Sequence, residues 1–251
     1  MGARRPSSRK HVPRALTTKR LGRPLLTFYQ EAKGQYGWGL MEAAFRSESA
    51  THRFAPEYVP RPVKLGTYES DPNTHFFLAD FVEMLEDEIP EPEPYMAAVM
   101  ALHQRSMGQS PEGKFGFAVN TRFGDLEQSN RWDSSWEGFW TGQMRDFISR
   151  EERLRGPHDA QLVRLRDLFL ERVLPRYLRP LETEGRSITP CLIHADLWPG
   201  NVKYRTDGTT VCMYDASALW GHNEGMPRIL FSNLPRSVSH SMALLADTCR
   251  I

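Results

Sequence analysis

The hydrophobic period changes twice along this chain, near Tyr95 and again at Pro190, and those two changes restrict the fold more than any other feature. Before Tyr95 the apolar runs are short. "LLTFYQ" (Leu25–Gln30) is rich in strand formers, and "THFFLADFVE" (Thr74–Glu83) reads as a buried strand. Between them "KGQYGWG" reads as a Gly-spaced turn. Leu40, Met41, Ala44 and Phe45 then recur at helical spacing, and "PEYVPRPVKLGTYES" is Pro-punctuated and extended. From Tyr95 to Pro190 the spacing is helical. "YMAAVMALHQRSM" is amphipathic, and Trp132, Trp136, Phe139 and Trp140 share one face of a second helix. Leu162, Leu165, Leu168 and Phe169 repeat the pattern in a third. After Pro190 two short apolar segments, "CLIHADL" and "TVCMYDAS", are joined by "YRTDGT", whose Asp207-Gly208 is a hairpin signal. A short strand-rich part, a helical run and a polar hairpin predict an α+β chain with two unequal lobes.

This order divides the sequence into a basic, disordered head (1–24), a partial sheet lobe (25–93), a helical lobe carrying the hairpin (94–224) and an atypical tail (225–251). The head shows no apolar periodicity and no strand pair. Residues 1–30 carry eight Lys or Arg and no acid, so with a net charge of +1 the remainder stands near −7. An Arg-rich, acid-free start is the composition of an organelle transit peptide and equally of a solvated tail. The near-neutral total gives no field that would favour nucleic acid. No apolar run reaches the length of a membrane span. Cys191, Cys212 and Cys249 have no metal or disulfide spacing and read as free thiols of a reducing, cytoplasmic setting.

The polar hairpin carries the chemistry. His194, Asp196 and Asn201 fall in an H-x-D-x-x-x-x-N loop, and Asp215 ends the apolar run on the returning segment. Phosphoryl transfer to a hydroxyl needs a carboxylate that accepts the hydroxyl proton. It also needs oxygen ligands for Mg²⁺, such as one amide and one further carboxylate. Asp196 supplies the first group; Asn201 and Asp215 supply the second set. His194 braces the loop, and Trp198-Pro199-Gly200 fixes its path. Trp198 has an indole that could stack on a sugar or join the core. A match of this kind also occurs by chance, because Asp and Asn favour turns. The flanking apolar runs are what set this one apart.

"HADLWPGNV" followed by "MYDASALWGHNE" resembles the catalytic hairpin of the fructosamine-3-kinase and ribulosamine-3-kinase family, relatives of the aminoglycoside phosphotransferases. "MALHQRS", "KFGFAVNTRFGDLEQSNRWDSSWEGFW" and "LPRYLRPLETEGRSITPCLIHADLW" resemble further segments of that family, over roughly residues 26–224. Ala195 stands where the family has Gly. The resemblance implies a two-lobed protein-kinase-like fold, with an incomplete small β lobe and a mainly helical large lobe. It implies ATP and Mg²⁺ as requirements, and glycated proteins or small ketoamines as acceptors, with no nucleic acid or membrane partner. Asp196 matches the catalytic base, and Asn201 and Asp215 match the Mg²⁺ ligands. His222 and Glu224 match the segment after the metal Asp, with a structural or sugar-facing role.

Several positions depart from the family pattern. Gln30 stands where the family has the nucleotide-binding lysine, and Ala44 where it has the glutamate that pairs with that lysine. An amide can donate to phosphate but adds no charge. Lys33, at an odd offset from Gln30, faces the other side of the strand. Glu48 shares a helix face with Ala44 but lies one turn away. The Gly-rich loop expected before "LLTFYQ" has no counterpart in residues 1–24. "GMPRILFSNLPRSVSHSMALLADTCRI" lacks the acidic helices that follow in the family. Four readings follow: an active ketosamine 3-kinase, a pseudokinase or sugar-binding module, a truncated gene product, and an aminoglycoside- or choline-type phosphotransferase. The Phe115-Gly116-Phe117 stretch and Trp198 argue against the last.

Overall fold

A computed structural model describes residues 16–20, 23–85, 88–124 and 126–225. Residues 1–15, the tail from 226 and Cys249 lie outside them. Four antiparallel strands form the first layer: β1 (Leu16–Arg20), β2 (Arg23–Lys33), β3 (Pro62–Thr67) and β4 (Thr74–Asp80), in the order β1-β2-β4-β3. The strand pair expected to be absent from the first 24 residues is therefore present, with Leu16 opposite Thr27 and Arg20 opposite Arg23. Its signal is weak because Thr17 and Thr18 favour strands while Lys19 and Arg20 remove any apolar alternation.

Helix α1 (Gly34–Phe54) starts directly after β2, so the three glycines expected to make a turn open a helix instead. Gly34 takes a left-handed φ of 71° at the joint. A Cβ on Gly37 would come within 2.5 Å of the Ala32 carbonyl carbon, so its glycine is what lets α1 fold tightly back on β2. One stripe of α1 lies on the sheet. Met41, Phe77 and Ala79 are buried there, with Ala32, Leu40, Ala44, Phe45 and Leu65 around them. Burying a side chain such as Phe77 contributes about 1.5–3 kcal/mol. The far end of α1 leaves the sheet, and Phe54 enters the large core.

That core is built from α2 (Pro92–Ser106), α3 (Trp136–Arg155) and four short strands, with a further small hairpin beside it. Strands β5 (Thr121–Phe123) and β6 (Leu126–Gln128) form one hairpin. Strand β7 (Cys191–Ile193) is followed by the hairpin β8 (Val202–Tyr204) and β9 (Val211–Met213), then β10 (Leu219–Gly221). The Asp207-Gly208 turn closes β8–β9: Asp207 Oδ1 accepts from the amides of Thr209 and Thr210 at 2.8 Å, and Gly208 has φ 68°. "CLIHADL" is not a strand of that hairpin, however. Cys191–Ile193 pairs with Leu219–Gly221. The chain leaves β7 and β9 through left-handed residues, Ala195 (φ 62°) and Asp215 (φ 58°), and these bends separate the two pairings.

Two helical expectations shift. Trp132 precedes α3 and is exposed, because Ser135 caps the helix by accepting from Gly138 N at 3.0 Å. Phe139 and Trp136 are buried as the pattern implies. After α4 (Ala160–Leu168) a π turn (Phe169–Val173) leads into α5 (Leu174–Leu178). The wider turn rotates the buried face, so Leu170 and Leu174 point inward while Leu162, Leu165 and Leu168 stay exposed. Phe115 and Phe117 are core residues, and Gly116 bridges to Trp220 by two main-chain hydrogen bonds. Cys191 and Cys212 are buried and form no disulfide. Among the described residues no helix is long and apolar enough to cross a membrane.

Candidate active site

Two bends bring the loop after β7 and the end of β9 together. Asn201 is buried, and its Nδ2 donates to the Asp196 carbonyl at 2.8 Å, the Asp196 carboxylate at 3.2 Å and the Asp215 carbonyl at 3.5 Å. The main chains are tied as well, by Tyr214 N to the Asn201 carbonyl at 3.0 Å and Ser217 N to the His194 carbonyl at 3.0 Å. His194 is buried, and its Nε2 donates to the Tyr214 carbonyl at 3.0 Å. Burial pushes the imidazole down to about 4, so it is neutral and holds the two segments together. Ala195, where glycine would be unstrained, spans the bend with its side chain packed in the core.

The electrostatics follow from this convergence. Asp196 is half-buried, and its carboxyl rises to about 6, first through burial and then through the nearby Asp215 charge. Asp215 reaches solvent, yet the surrounding protein raises its carboxyl too. The Asp196–Asn201–Asp215 group is therefore open to solvent and rich in oxygen donors. Hard divalent cations prefer oxygen ligands, so the donor set fits Mg²⁺, which Asn201 Oδ1 and the Asp215 carboxylate would hold.

Trp198 lies at the rim, half exposed, with its indole over Gly200. Any Cβ at residue 200 would overlap the ring, so this glycine sets the indole's position. His222 belongs to a different neighbourhood. It sits beside the Trp136 ring at 6.1 Å, with Glu224 and Glu182 as the acidic charges that act on it. Glu224 is exposed. Gln30 on β2 lies opposite Phe77 of β4, on the sheet face that α1 covers. Ala44 packs on the same cluster. Lys33 pairs instead with Asp71 at 3.5 Å on the exposed side, as its odd offset predicts.

One residue at this junction has no role assigned from its sequence position. Glu48 of α1 is buried, and its Oε1 accepts from Asp215 N at 2.7 Å and Ala216 N at 3.5 Å. An acid among the buried residues Met41, Ser47, Glu48 and Thr51 of α1 was the available signal, since ionisable residues are seldom buried without a partner.

The fructosamine kinase family profile matches residues 21–239. The chain belongs to this family. A Staphylococcus aureus protein assigned as a ketoamine kinase is 30% identical over 126 residues, which is 50% of this chain and 40% of that protein. The chloroplastic protein-ribulosamine 3-kinase of Oryza sativa subsp. indica is 25% identical over 198 residues, 79% of this chain and 54% of the relative. The chain thus spans about half the length of these relatives. Among solved structures, one from Thermobifida fusca assigned as a fructosamine-3-kinase superposes with a TM-score of 0.62 at 21% identity, covering 94% of this chain and 80% of that one. The aminoglycoside phosphotransferase APH(4)-Ia gives 0.53 at 14% identity, covering 86% and 68%. These likenesses show the kinase-like fold of the fructosamine kinase family, with its small sheet lobe and helical large lobe.

Proposed function

We propose that this fructosamine kinase family member transfers the terminal phosphoryl group of ATP to the 3-hydroxyl of a ketoamine sugar on a protein lysine or small amine. The observation that carries the reading is the convergence of Asp196, Asn201 and Asp215 in one solvent-open group. Asp196 orients the sugar hydroxyl and accepts its proton. The hydroxyl oxygen bonds to the γ-phosphorus, the bond to the β-bridging oxygen breaks, and ADP leaves. Asn201 Oδ1 and Asp215 would hold Mg²⁺, which when bound would supply neutralisation of phosphate charge. Trp198 offers its exposed indole face to the sugar ring. His194 braces the loop, and His222 and Glu224 shape the segment beyond it. Gln30 contributes an amide donor at the nucleotide side. The buried thiols Cys191 and Cys212 suit a reducing, cytoplasmic setting.

The test is ADP release from Mg·ATP by the full chain, with fructosyl-lysine and ribulosyl-lysine as acceptors. Acceptor-dependent release that Asp196→Asn abolishes is expected. A folded chain that releases none, for either acceptor, would contradict the assignment.

A second reading, a catalytically impaired sugar-binding module, is favoured by one observation. Ala44 fills the α1 position facing the sheet with a methyl group inside an apolar cluster, and Gln30 brings no cation to that face. Thermal denaturation separates the two readings. A melting temperature that rises with Mg·ATP supports the kinase, and one that rises with ketoamine alone supports the module.

A further inference from the structure

We propose that Glu48 is a positioning residue for Asp215: from α1 it holds the Asp215 main chain in the left-handed turn that turns the carboxylate toward Asp196 and Asn201. The inference rests on the reading of Asp215 as a cation ligand.

The geometry has three parts. First, Asp215 is a non-glycine residue at φ 58°, a conformation that costs about 1–2 kcal/mol and persists only where the surroundings impose it. Second, the imposed bond comes from Glu48, which is 5% exposed and whose Oε1 lies 2.7 Å from Asp215 N and 3.5 Å from Ala216 N. The residue before it acts on the same segment: Ser47 Oγ accepts from Ala218 N at 3.2 Å. Third, Glu48 Oε2 is buried with no hydrogen-bond partner. A carboxyl group kept in that state gains nothing through its second oxygen and costs desolvation, so packing does not explain an acid here. The two main-chain amides do explain it, because a bare Asp215 N–H would otherwise be left unsatisfied beside the site.

The route of this tether also matters. Helix α1 covers the sheet with Met41 and reaches the large core with Phe54, so Glu48 sits on the segment shared by both lobes. A shift of α1 over the sheet is therefore a shift of the Asp215 main chain.

The experiment is Mn²⁺ binding to the full chain in the presence of ADP, followed by calorimetry and by the electron paramagnetic resonance of free Mn²⁺. The proteins are wild type, Asp215→Asn, Glu48→Ala and Glu48→Gln, each with its melting temperature. Wild type is expected to bind and Asp215→Asn to lose binding. Glu48→Ala is expected to bind tenfold to about a hundredfold more weakly, the range typical when a group that orients a metal ligand is removed. Glu48→Gln keeps an oxygen acceptor for Asp215 N and is expected to rescue binding to within about threefold of wild type.

If wild type binds no Mn²⁺, the cation-site reading falls and this proposal falls with it. If wild type binds, Asp215→Asn does not, and Glu48→Ala binds as tightly as wild type, the cation site stands and the positioning role is wrong. Should Glu48→Ala fail to fold, Glu48→Gln decides: a tenfold loss with an unchanged melting temperature overturns the proposal, and rescue supports it.

Discussion

Asn201 donates one amide nitrogen to both the carbonyl and the carboxylate of Asp196, at 2.8 and 3.2 Å. The nitrogen end of the amide is thereby committed to Asp196, the proposed proton acceptor, and under the same proposal the oxygen end would face the cation. The same bond fixes the Asp196 carboxylate relative to the loop. Replacing Asp196 by Asn should lower kcat by about 10²–10⁴, the usual worth of a positioned base, with the circular dichroism spectrum unchanged. Stability should move the other way. The folded-state carboxyl is raised from 3.8 to about 6, so its contribution is present below pH 4 and lost as pH rises through 6. In metal-free buffer Asp196→Asn should therefore melt higher than wild type at pH 8 and no higher at pH 4. Equal melting temperatures at both pH values would contradict the origin assigned to the shift.

Acid lability should come from the large-lobe core. His103 on α2 is 4% exposed, and burial holds its imidazole down to about 4, helped by the neighbouring His222. A depressed histidine stabilises the fold above the unfolded value of 6.5, and that contribution is lost as pH falls through 4. Protons taken up only by the unfolded chain are the cause. His103→Leu should flatten the fall in urea-unfolding free energy between pH 6.5 and 4, by about 1–3 kcal/mol at the acid end. A pH profile parallel to wild type would remove His103 from the account. The neutral, buried His194 should supply part of the remaining slope.

Acceptor binding should depend on a glycine that touches no ligand. Gly200 lies under the Trp198 indole, and any side chain there displaces the ring. Gly200→Ala and Trp198→Ala should each raise KM for a ketoamine several-fold, with KM for ATP little changed. If KM for ATP moves equally, the indole serves the loop as a whole and does not face the acceptor.

The sequence pattern carried the lobes because burial imposes periods, and the period changes at Tyr95 and Pro190 mark real changes of layer. The turn at Asp207-Gly208 was legible because its side-chain bonds are local. The partner of β7 was not, since nothing near Cys191 names Leu219 as its neighbour. Strand β1 escaped because Lys19 and Arg20 break its alternation. Glu48 escaped for a similar reason: its partner is the main chain of a residue 167 positions away, and main-chain amides leave no trace in residue type. The leucines of α4 showed the helix and not its facing, because a π turn redirects the buried side.

The absent ion pair between β2 and α1 gives the last test. Gln30 lies opposite Phe77 on the covered sheet face, and Ala44 packs against that same Phe77 cluster, so both positions face the α1–sheet layer. Ala44→Glu alone places a carboxylate among Met41, Phe45 and Phe77 with no counter-charge, and should cost about 1–3 kcal/mol. Gln30→Lys alone places an ammonium on the same face and should also destabilise. Together the two charges satisfy one another, so the double variant should be more stable than the sum of the singles by about 1 kcal/mol or more. If residue 30 serves the nucleotide as proposed, the same pair supplies it a cation, and the rise in melting temperature with Mg·ATP should exceed that of wild type. Urea unfolding of the four proteins measures the coupling, and melting with and without Mg·ATP measures the gain. Additive singles would mean that residues 30 and 44 do not meet. Coupling without a larger nucleotide shift would place the pair in the fold and leave the phosphate site to other groups.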